Sequence, residues 1–248
     1  MKISVTKLST FIDCPRKYWY IYDMRIFTPK GEGFYFGSAV HEGLERYYLG
    51  QDPMQGVKDA LYGEKGNISE EPQEGINLAK LENEARRIFR IYEQQAPYLD
   101  PLLVEHIFNV PLVHPKTKER LPAVFTGKMD LITTSCLIVD HKTASSSPGS
   151  FFEAKNNLQA SGYTYAYLQM FGMMPKGFLF NNIIKGNTRR EPRFEPNRKD
   201  KTIEDCCDFF DVCKEILRKL KRKETKDYPN RHHCRFCRYK SICPYYGT

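Results

Sequence analysis

The 248-residue sequence lacks an apolar run long enough to cross a membrane, and its first residues lack the hydrophobic stretch of a signal peptide. It also lacks internal repeats and low-complexity tracts. These absences predict an intracellular, cytoplasmic protein without a membrane partner. Disulfide bonds are rare in that compartment, so the eight cysteines indicate metal binding rather than a disulfide framework.

The charges are unequal, because 38 Lys and Arg stand against 30 Asp and Glu, which gives a formal net charge of +8. A basic balance of this size suits a polyanionic partner, although it also occurs in proteins that bind none. The apolar share of 41% and the aromatic share of 13% predict a folded protein. The length suits one large core or one domain with an insertion.

The period of the apolar residues changes along the chain. Helical spacing occurs in five segments, the last opening with a capping box: 4–13, 36–49, 77–95, 152–171 and the segment from Thr202 onwards. Strand patterns occur in four segments: 102–113, 121–133, 136–142 and 177–184. Segment 50–76 indicates a loop or a small insertion, and segment 185–201 indicates a loop. This order predicts an α/β domain with a mixed central sheet and an N-terminal helical part.

The segment 127–143 predicts a β-hairpin that brings two carboxylates and a lysine together. Asp140 and Lys142 are two residues apart on a strand and therefore face the same side. A reversal near residue 134 places Asp130 roughly opposite Asp140. Metal-assisted phosphodiester cleavage needs such a set, in which carboxylates hold a hard cation and a lysine positions or polarises water. Taken alone, the pattern is also typical of a solvated strand with a weak ion pair.

A second constellation consists of cysteines. Three thiolates stand within ten residues near the C-terminus: Cys234, Cys237 and Cys243. A closed site needs a fourth ligand, and Cys14 is the candidate, since proline follows it as it follows Cys243. Cysteine before proline favours an iron–sulfur cluster, and zinc completed by His232 or His233 is the alternative. The other four cysteines have the pattern of buried apolar residues: Cys136, Cys206, Cys207 and Cys213.

These segments resemble the RecB-type nucleases of the PD-(D/E)XK superfamily. The likeness is greatest to the iron–sulfur branch, which includes the CRISPR-associated exonucleases and their phage relatives. The matching motifs follow one another in the family's order: 9–20 around the first cysteine, 37–41 with a helical histidine, 127–130 and 139–143 with the acidic core, 159–163 with Gln-x-x-x-Tyr, and the C-terminal cysteines. One departure is His141, where many relatives carry tyrosine.

The resemblance implies a PD-(D/E)XK restriction-endonuclease-like core, with a mixed central sheet flanked by helices and the two termini joined by a metal cluster. It implies a single nuclease domain over residues 1–248. We expect a helical insertion at about 50–100 and a cysteine cluster segment at 228–248.

The resemblance also implies the active site. His41, Asp130 and Asp140 would hold Mg²⁺ or Mn²⁺, and the backbone carbonyl of His141 would be a further ligand. A lone helical histidine is otherwise typical of a packed or surface residue. Lys142 would align or activate the attacking water beside the catalytic Asp130 and Asp140.

Three further expectations concern residues outside that set. Gln159 and Tyr163 lie four residues apart on one helix face and would hold the DNA strand, although an ordinary amphipathic helix has the same spacing. Glu105 is either a group that supports the site or an exposed strand residue. The resemblance assigns one structural [4Fe–4S] cluster to four cysteines: Cys14, Cys234, Cys237 and Cys243.

Together these observations predict a metal-dependent DNA exonuclease that acts on free ends, with single-stranded DNA as substrate. The setting would be recombination, repair or CRISPR-type processing, with a helicase or integrase-type protein as partner and an oligomer as one possible form. A phage-encoded protein would act in the host cytoplasm. Two other classes stay open: a non-catalytic iron–sulfur DNA-binding subunit of a helicase or integration complex, and an iron–sulfur electron carrier.

Overall fold

The computed structural model describes residues 1–63, 75–96, 99–147, 149–187, 189–223, 234–235 and 237–246. Its strands are β1 Lys2–Ile3, β2 Pro101–Val113, β3 Arg120–Thr133, β4 Leu137–Ala144, β5 Gly177–Ile184 and β6 Arg193–Lys199. Its helices are α1 Val5–Asp13, α2 Pro15–Tyr18, α3 Glu32–Tyr48, α4 Pro53–Tyr62, α5 Leu78–Gln95, α6 Ser150–Phe171 and α7 Ile203–Lys221, with a π-helical turn over Trp19–Asp23.

The six strands form one mixed sheet in the order β1-β3-β4-β5-β6, and β2 pairs with the other side of β3. Pairing is antiparallel between β2 and β3, β3 and β4, and β5 and β6, and it is parallel between β1 and β3 and between β4 and β5. Helix α6 connects the parallel strands β4 and β5, as a crossover connection requires. The predicted mixed α/β fold is therefore confirmed.

Helices cover both faces of the sheet. Aromatic residues of α1, α6 and α7, among them Phe11, Tyr165 and Phe209, share one core with residues of β2, β3 and β5. Helices α3, α4 and α5 form a second core that reaches the sheet at Ile183. Burial of apolar area on both faces supplies the main stabilisation of such a layered fold.

The segment predicted as a loop or small insertion and the segment predicted as a loop both contain regular structure. Helix α4 lies inside the segment 50–76; Asp52 caps its first turn and Val57 is fully buried. Strand β6 lies inside the segment 185–201 and pairs with β5 from Arg193 to Lys199. Strand β6 was not predicted because it contains proline and charged residues, which are typical of loops. An outer strand with one partner tolerates both. The capping box at the start of α7 is present, since Thr202 and Asp205 bond each other's backbone N–H groups.

The two ends of the described chain contact each other. The Tyr20 hydroxyl donates to the carbonyl of Ile242 at 3.0 Å, and the Tyr239 hydroxyl donates to the carbonyl of Ile26 at 2.8 Å. The rings of Tyr20 and Tyr239 stack, with centroids 5.3 Å apart. These contacts place the segment after Cys234 on the π-helical turn that follows Cys14. None of the described helices is both long enough and apolar enough to span a membrane.

Candidate active site

The hairpin of β3 and β4 opens soon after its turn. Pairing between the two strands is confined to Leu131 with Val139 and Ile132 with Ile138. Beyond these pairs β3 continues along β2, whereas β4 continues along β5. The backbone N–H of His141 donates to Oδ2 of Asp130 at 2.7 Å instead. An opening therefore forms in the sheet, and an aspartate carboxylate links its two sides.

Asp140 and Lys142 lie on one side of this opening. The Lys142 ammonium is 2.7 Å from Oδ2 of Asp140, so the two side chains face the same way. Oδ1 of Asp140 accepts a hydrogen bond of 2.5 Å from Nε2 of Gln159 on α6. Only 2% of Asp140 is exposed, so this carboxylate is held by an ammonium and an amide away from bulk water.

Three side chains from three different elements converge on the other side. Ligand atoms of His41 on α3, Glu105 on β2 and Asp130 on β3 all lie within 4.8 Å of one another. Nδ1 of His41 is 3.5 Å from Oδ2 of Asp130. One imidazole nitrogen and two carboxylates suit a divalent cation such as Mn²⁺ or Mg²⁺. The donor set therefore fits the predicted metal.

Glu105 reaches this group through an unusual backbone conformation. The register places it opposite Asp130, because Val104 pairs with Leu131 and His106 with Met129. Its φ is 49°, in the left-handed region that costs a residue with a side chain roughly 1–2 kcal/mol. Its carboxylate also contacts the ammonium of Lys128. The structure thus places Glu105 inside the site rather than on an exposed strand surface.

Burial controls the protonation of these groups. Burial, reinforced by the charge of Asp130, raises the pKa of Glu105 to about 7. Burial and then the nearby Asp140 raise the pKa of Asp130 as well. Burial lowers the pKa of His41, and it lowers that of His141 to about 3, so both imidazoles are neutral. Buried carboxylates of this kind need a nearby cation that stabilises their ionised form.

The predicted site residues are only partly gathered into one ligand set. Among the described residues, the convergent group contains His41 and Asp130 but Glu105 in place of Asp140. The charge of Asp140 nevertheless acts on both His41 and Asp130. The His141 imidazole lies beside Asn181 of β5, and only its backbone N–H contacts Asp130.

Gln159 and Tyr163 lie next to this centre on α6. Gln159 contacts Asp140 directly, and it also bonds Tyr163, whose pKa burial raises. The ring of Tyr163 packs edge-on against Phe108, with centroids 5.6 Å apart. A side chain at position 127 would meet both rings, which explains why glycine stands there on β3.

A cavity of about 730 Å³ opens onto the site. His41, Glu105 and Lys128 line its inner end. One face of α3 lines its wall, with Phe34, Gly37, Ser38, Glu42 and Glu45. Lys128 stands two residues before Asp130 on β3, so the alternation of strand side chains was a signal that could have found it. The cavity gives a substrate access to His41 and Glu105 of the donor group.

The four predicted cluster cysteines lie on segments that contact each other. Cys14 is buried, and Cys234, Cys237 and Cys243 are half-buried. Among the described residues, the group whose ligand atoms all lie within 4.8 Å of one another contains none of these cysteines. The alternative ligands His232 and His233 lie outside the described residues.

The sequence comparisons decide the family. A model of the PD-(D/E)XK nuclease superfamily matches residues 2–244. The chain belongs to the PD-(D/E)XK nuclease superfamily. This membership implies a nucleic-acid substrate and a divalent metal, in agreement with the convergent donor set. No curated protein sequence matches the chain significantly.

Several solved structures are similar to the chain. A candidate exonuclease from Eubacterium rectale has a TM-score of 0.66 and 16% identity, over 96% of this chain and 86% of the other. The protein SSO0001 has a TM-score of 0.49 and 10% identity, over 100% of this chain and 87% of the other. At this identity the first likeness shows the shared mixed α/β fold alone.

The raised pKa of Glu105 predicts a pH dependence of stability in the metal-free nuclease. An acid with a higher pKa in the folded than in the unfolded protein stabilises the fold while protonated. That contribution is lost as the pH rises from the ordinary value of 4.5 through about 7. We expect Tm of the metal-free wild type to fall between about pH 5 and pH 8, and Glu105→Gln to reduce this fall, in calorimetry with a chelator present. The exposed Glu119→Gln is the control, and a wild-type slope in Glu105→Gln would contradict the assignment.

Proposed function

We propose that the protein is a Mg²⁺- or Mn²⁺-dependent deoxyribonuclease that shortens single-stranded DNA from free ends. The observation that carries the proposal is the opening between β3 and β4. It combines a cation-sized donor group with a buried carboxylate–lysine pair in a member of a nuclease superfamily. Recombination, repair or CRISPR-type processing is the proposed setting, with a helicase or integrase-type partner.

His41, Glu105 and Asp130 would hold the cation, and Asp140 is the adjacent carboxylate. When bound, the cation supplies Lewis-acid polarisation of the phosphate. Lys142 orients the attacking water and offsets negative charge that develops on the phosphoryl oxygens. Asp140 keeps the Lys142 ammonium in place at 2.7 Å. Hydrolysis forms a bond from the water oxygen to phosphorus and breaks the bond to the departing sugar oxygen.

The choice of single-stranded DNA as substrate is our proposal and rests on the resemblance. The cavity of about 730 Å³ beside α3 would give this strand access to His41 and Glu105. Gln159 and Tyr163 form the α6 side of the site, where they would hold that strand. End-directed cleavage rests on the resemblance and agrees with the description of the Eubacterium rectale protein as a candidate exonuclease.

A non-catalytic DNA-binding subunit explains the site less well. Asp130 and Asp140 are 8% and 2% exposed, and Glu105 carries a strained backbone. Buried carboxylates and left-handed residues both cost folding free energy. A module that only binds DNA gains nothing from these costs, whereas a hydrolase needs the carboxylates in place.

The proposal also includes one structural iron–sulfur cluster held by Cys14, Cys234, Cys237 and Cys243. Its support is the packing of both cysteine segments through Tyr20 and Tyr239. The cluster would join the chain ends and take no part in hydrolysis. Binding of the metal and folding of the surrounding chain are generally coupled in sites of this kind.

The direct test digests DNA labelled at either end, with Mn²⁺ or Mg²⁺, using wild type and Lys142→Ala. We expect Lys142→Ala to lower the rate by roughly 100-fold or more, because water orientation and charge stabilisation at the phosphate are lost. Mn²⁺ binding should persist, because His41, Glu105 and Asp130 remain in place. Lys116→Ala is the control, since Lys116 forms an exposed ion pair with Glu204.

Circular single-stranded DNA separates the two parts of this proposal. An exonuclease shortens the linear substrate and leaves the circle intact. Equal cleavage of both would contradict action from ends, and a wild-type rate in Lys142→Ala would contradict the catalytic assignment.

A second prediction concerns the cluster. We expect Cys14→Ala to lower the iron content and the soluble yield, because one of four ligands is removed and the chain ends lose their tie. Cys206→Ala is the control, since Cys206 is buried in the apolar core. Elemental analysis and visible absorbance of the purified proteins decide the matter. Unchanged iron in Cys14→Ala would contradict the ligand assignment, and zinc in its place in the wild type would favour the alternative site.

A further inference from the structure

A closed ring of polar side chains lies behind the active site. Nδ2 of Asn181 donates to the Tyr92 hydroxyl at 2.9 Å and lies 3.0 Å from Nδ1 of His141. The hydroxyls of Tyr92 and Tyr48 are 2.8 Å apart. The ring of Tyr48 stacks on the His141 imidazole, with centroids 5.6 Å apart and planes at 18°, which closes the circuit.

The four members come from four different elements. His141 and Asn181 are register partners on the parallel strands β4 and β5, so their side chains are neighbours on the same face. Tyr92 lies on α5, and Tyr48 is the last residue of α3. The ring therefore ties two helices to the two central strands.

The elements that the ring connects also carry residues of the active site. Helix α3 ends at Tyr48 and carries His41. Strand β4 carries Asp140 and Lys142 on either side of His141, and the backbone N–H of His141 donates to Asp130 at 2.7 Å. A fixed imidazole consequently fixes the peptide that holds Asp130. It also fixes the distance between α3 and β4, which sets the 3.5 Å separation of His41 from Asp130.

The composition of the ring points to placement rather than to stability. His141, Asn181 and Tyr92 are at most 2% exposed. Their polar atoms lose water on folding, a cost that apolar side chains of similar size would not incur. The ring bonds offset only part of that cost, since Nε2 of His141 and Oδ1 of Asn181 are buried without a hydrogen-bond partner in the described structure. Directional bonds define a single arrangement, whereas apolar packing tolerates several. Directional hydrogen bonds therefore suit a site that must hold three donor atoms at the spacing that a cation requires.

We propose that this ring is the positioning device of the cation site and that His141 is its central positioning residue. The inference rests on the proposed function, since it presupposes that the convergent donors bind a cation. His141 acts through its imidazole contacts on one face of β4 and through its backbone N–H on Asp130. Asn181, Tyr92 and Tyr48 transmit the constraint to α3.

Binding of Mn²⁺, followed by electron paramagnetic resonance of the free ion, tests the proposal without reference to cleavage. We expect Asn181→Leu to weaken Mn²⁺ binding about 10-fold, because the loss of a hydrogen-bonded support behind metal ligands has effects of that size. Tyr92→Phe removes a single oxygen from the ring and is expected to weaken binding in the same direction. The double variant is expected to lose little more than the larger single effect, because both residues act in one circuit.

Tyr165→Phe is the matched control. Tyr165 is equally buried, and its hydroxyl bonds the backbone of Pro111 and Val113 on β2, outside the ring. We expect it to lower Tm and to leave the Mn²⁺ affinity unchanged. Tyr48→Phe keeps the stacked ring without its hydroxyl and should bind Mn²⁺ more tightly than Tyr48→Leu.

The outcomes separate this inference from the proposed function. Wild-type Mn²⁺ affinity in folded Asn181→Leu and Tyr92→Phe would overturn the positioning role and leave the nuclease proposal intact. If Asn181→Leu does not fold, Tyr92→Phe decides. Equal weakening in Tyr165→Phe would attribute the effect to general destabilisation and would also overturn the inference. A wild type that cleaves DNA but binds no Mn²⁺ would refute the donor set itself.

Discussion

The early end of pairing between β3 and β4 is the constraint on which the site depends. The ladder stops at Leu131 and Val139, so the next N–H of β4 that faces β3 has no carbonyl partner there. The Asp130 carboxylate takes that place by accepting from His141 at 2.7 Å. One oxygen of Asp130 is thereby committed to the fold, and the carboxylate is held toward His41. A continuous hairpin would have closed the gap that the donors occupy.

The buried carboxylates of the site need compensating positive charge. Asp130 and Asp140 flank one opening, and burial together with mutual repulsion raises the pKa of Asp130. Two lysines compensate part of this negative charge. Lys142 pairs with Asp140, and Lys128 pairs with Glu105. In the proposed function, a divalent cation would add the missing positive charge beside His41. Without its metal the site therefore carries the cost of burying these carboxylates in addition to the strained backbone of Glu105.

The sequence predicted what depends on short-range periodicity. The common direction of Asp140 and Lys142 follows from the two-residue repeat of a strand, and the mixed sheet follows from the order of elements. Glu105 could not be assigned, because its positive φ breaks the alternation on which such an argument relies. The partnership of His141 with Asn181 depends on the parallel register of β4 and β5, which no local pattern encodes. Strand β6 was missed because its charges and proline are typical of loops.

The central claim is that a divalent cation binds where α3, β2 and β3 converge, and locating it is the most direct test. Crystals soaked in Mn²⁺ and measured by anomalous scattering would show the ion. We expect a peak in contact with His41, Glu105 and Asp130, beside the Asp140–Lys142 pair. A peak elsewhere, or none in crystals of protein that cleaves DNA with Mn²⁺, would contradict it.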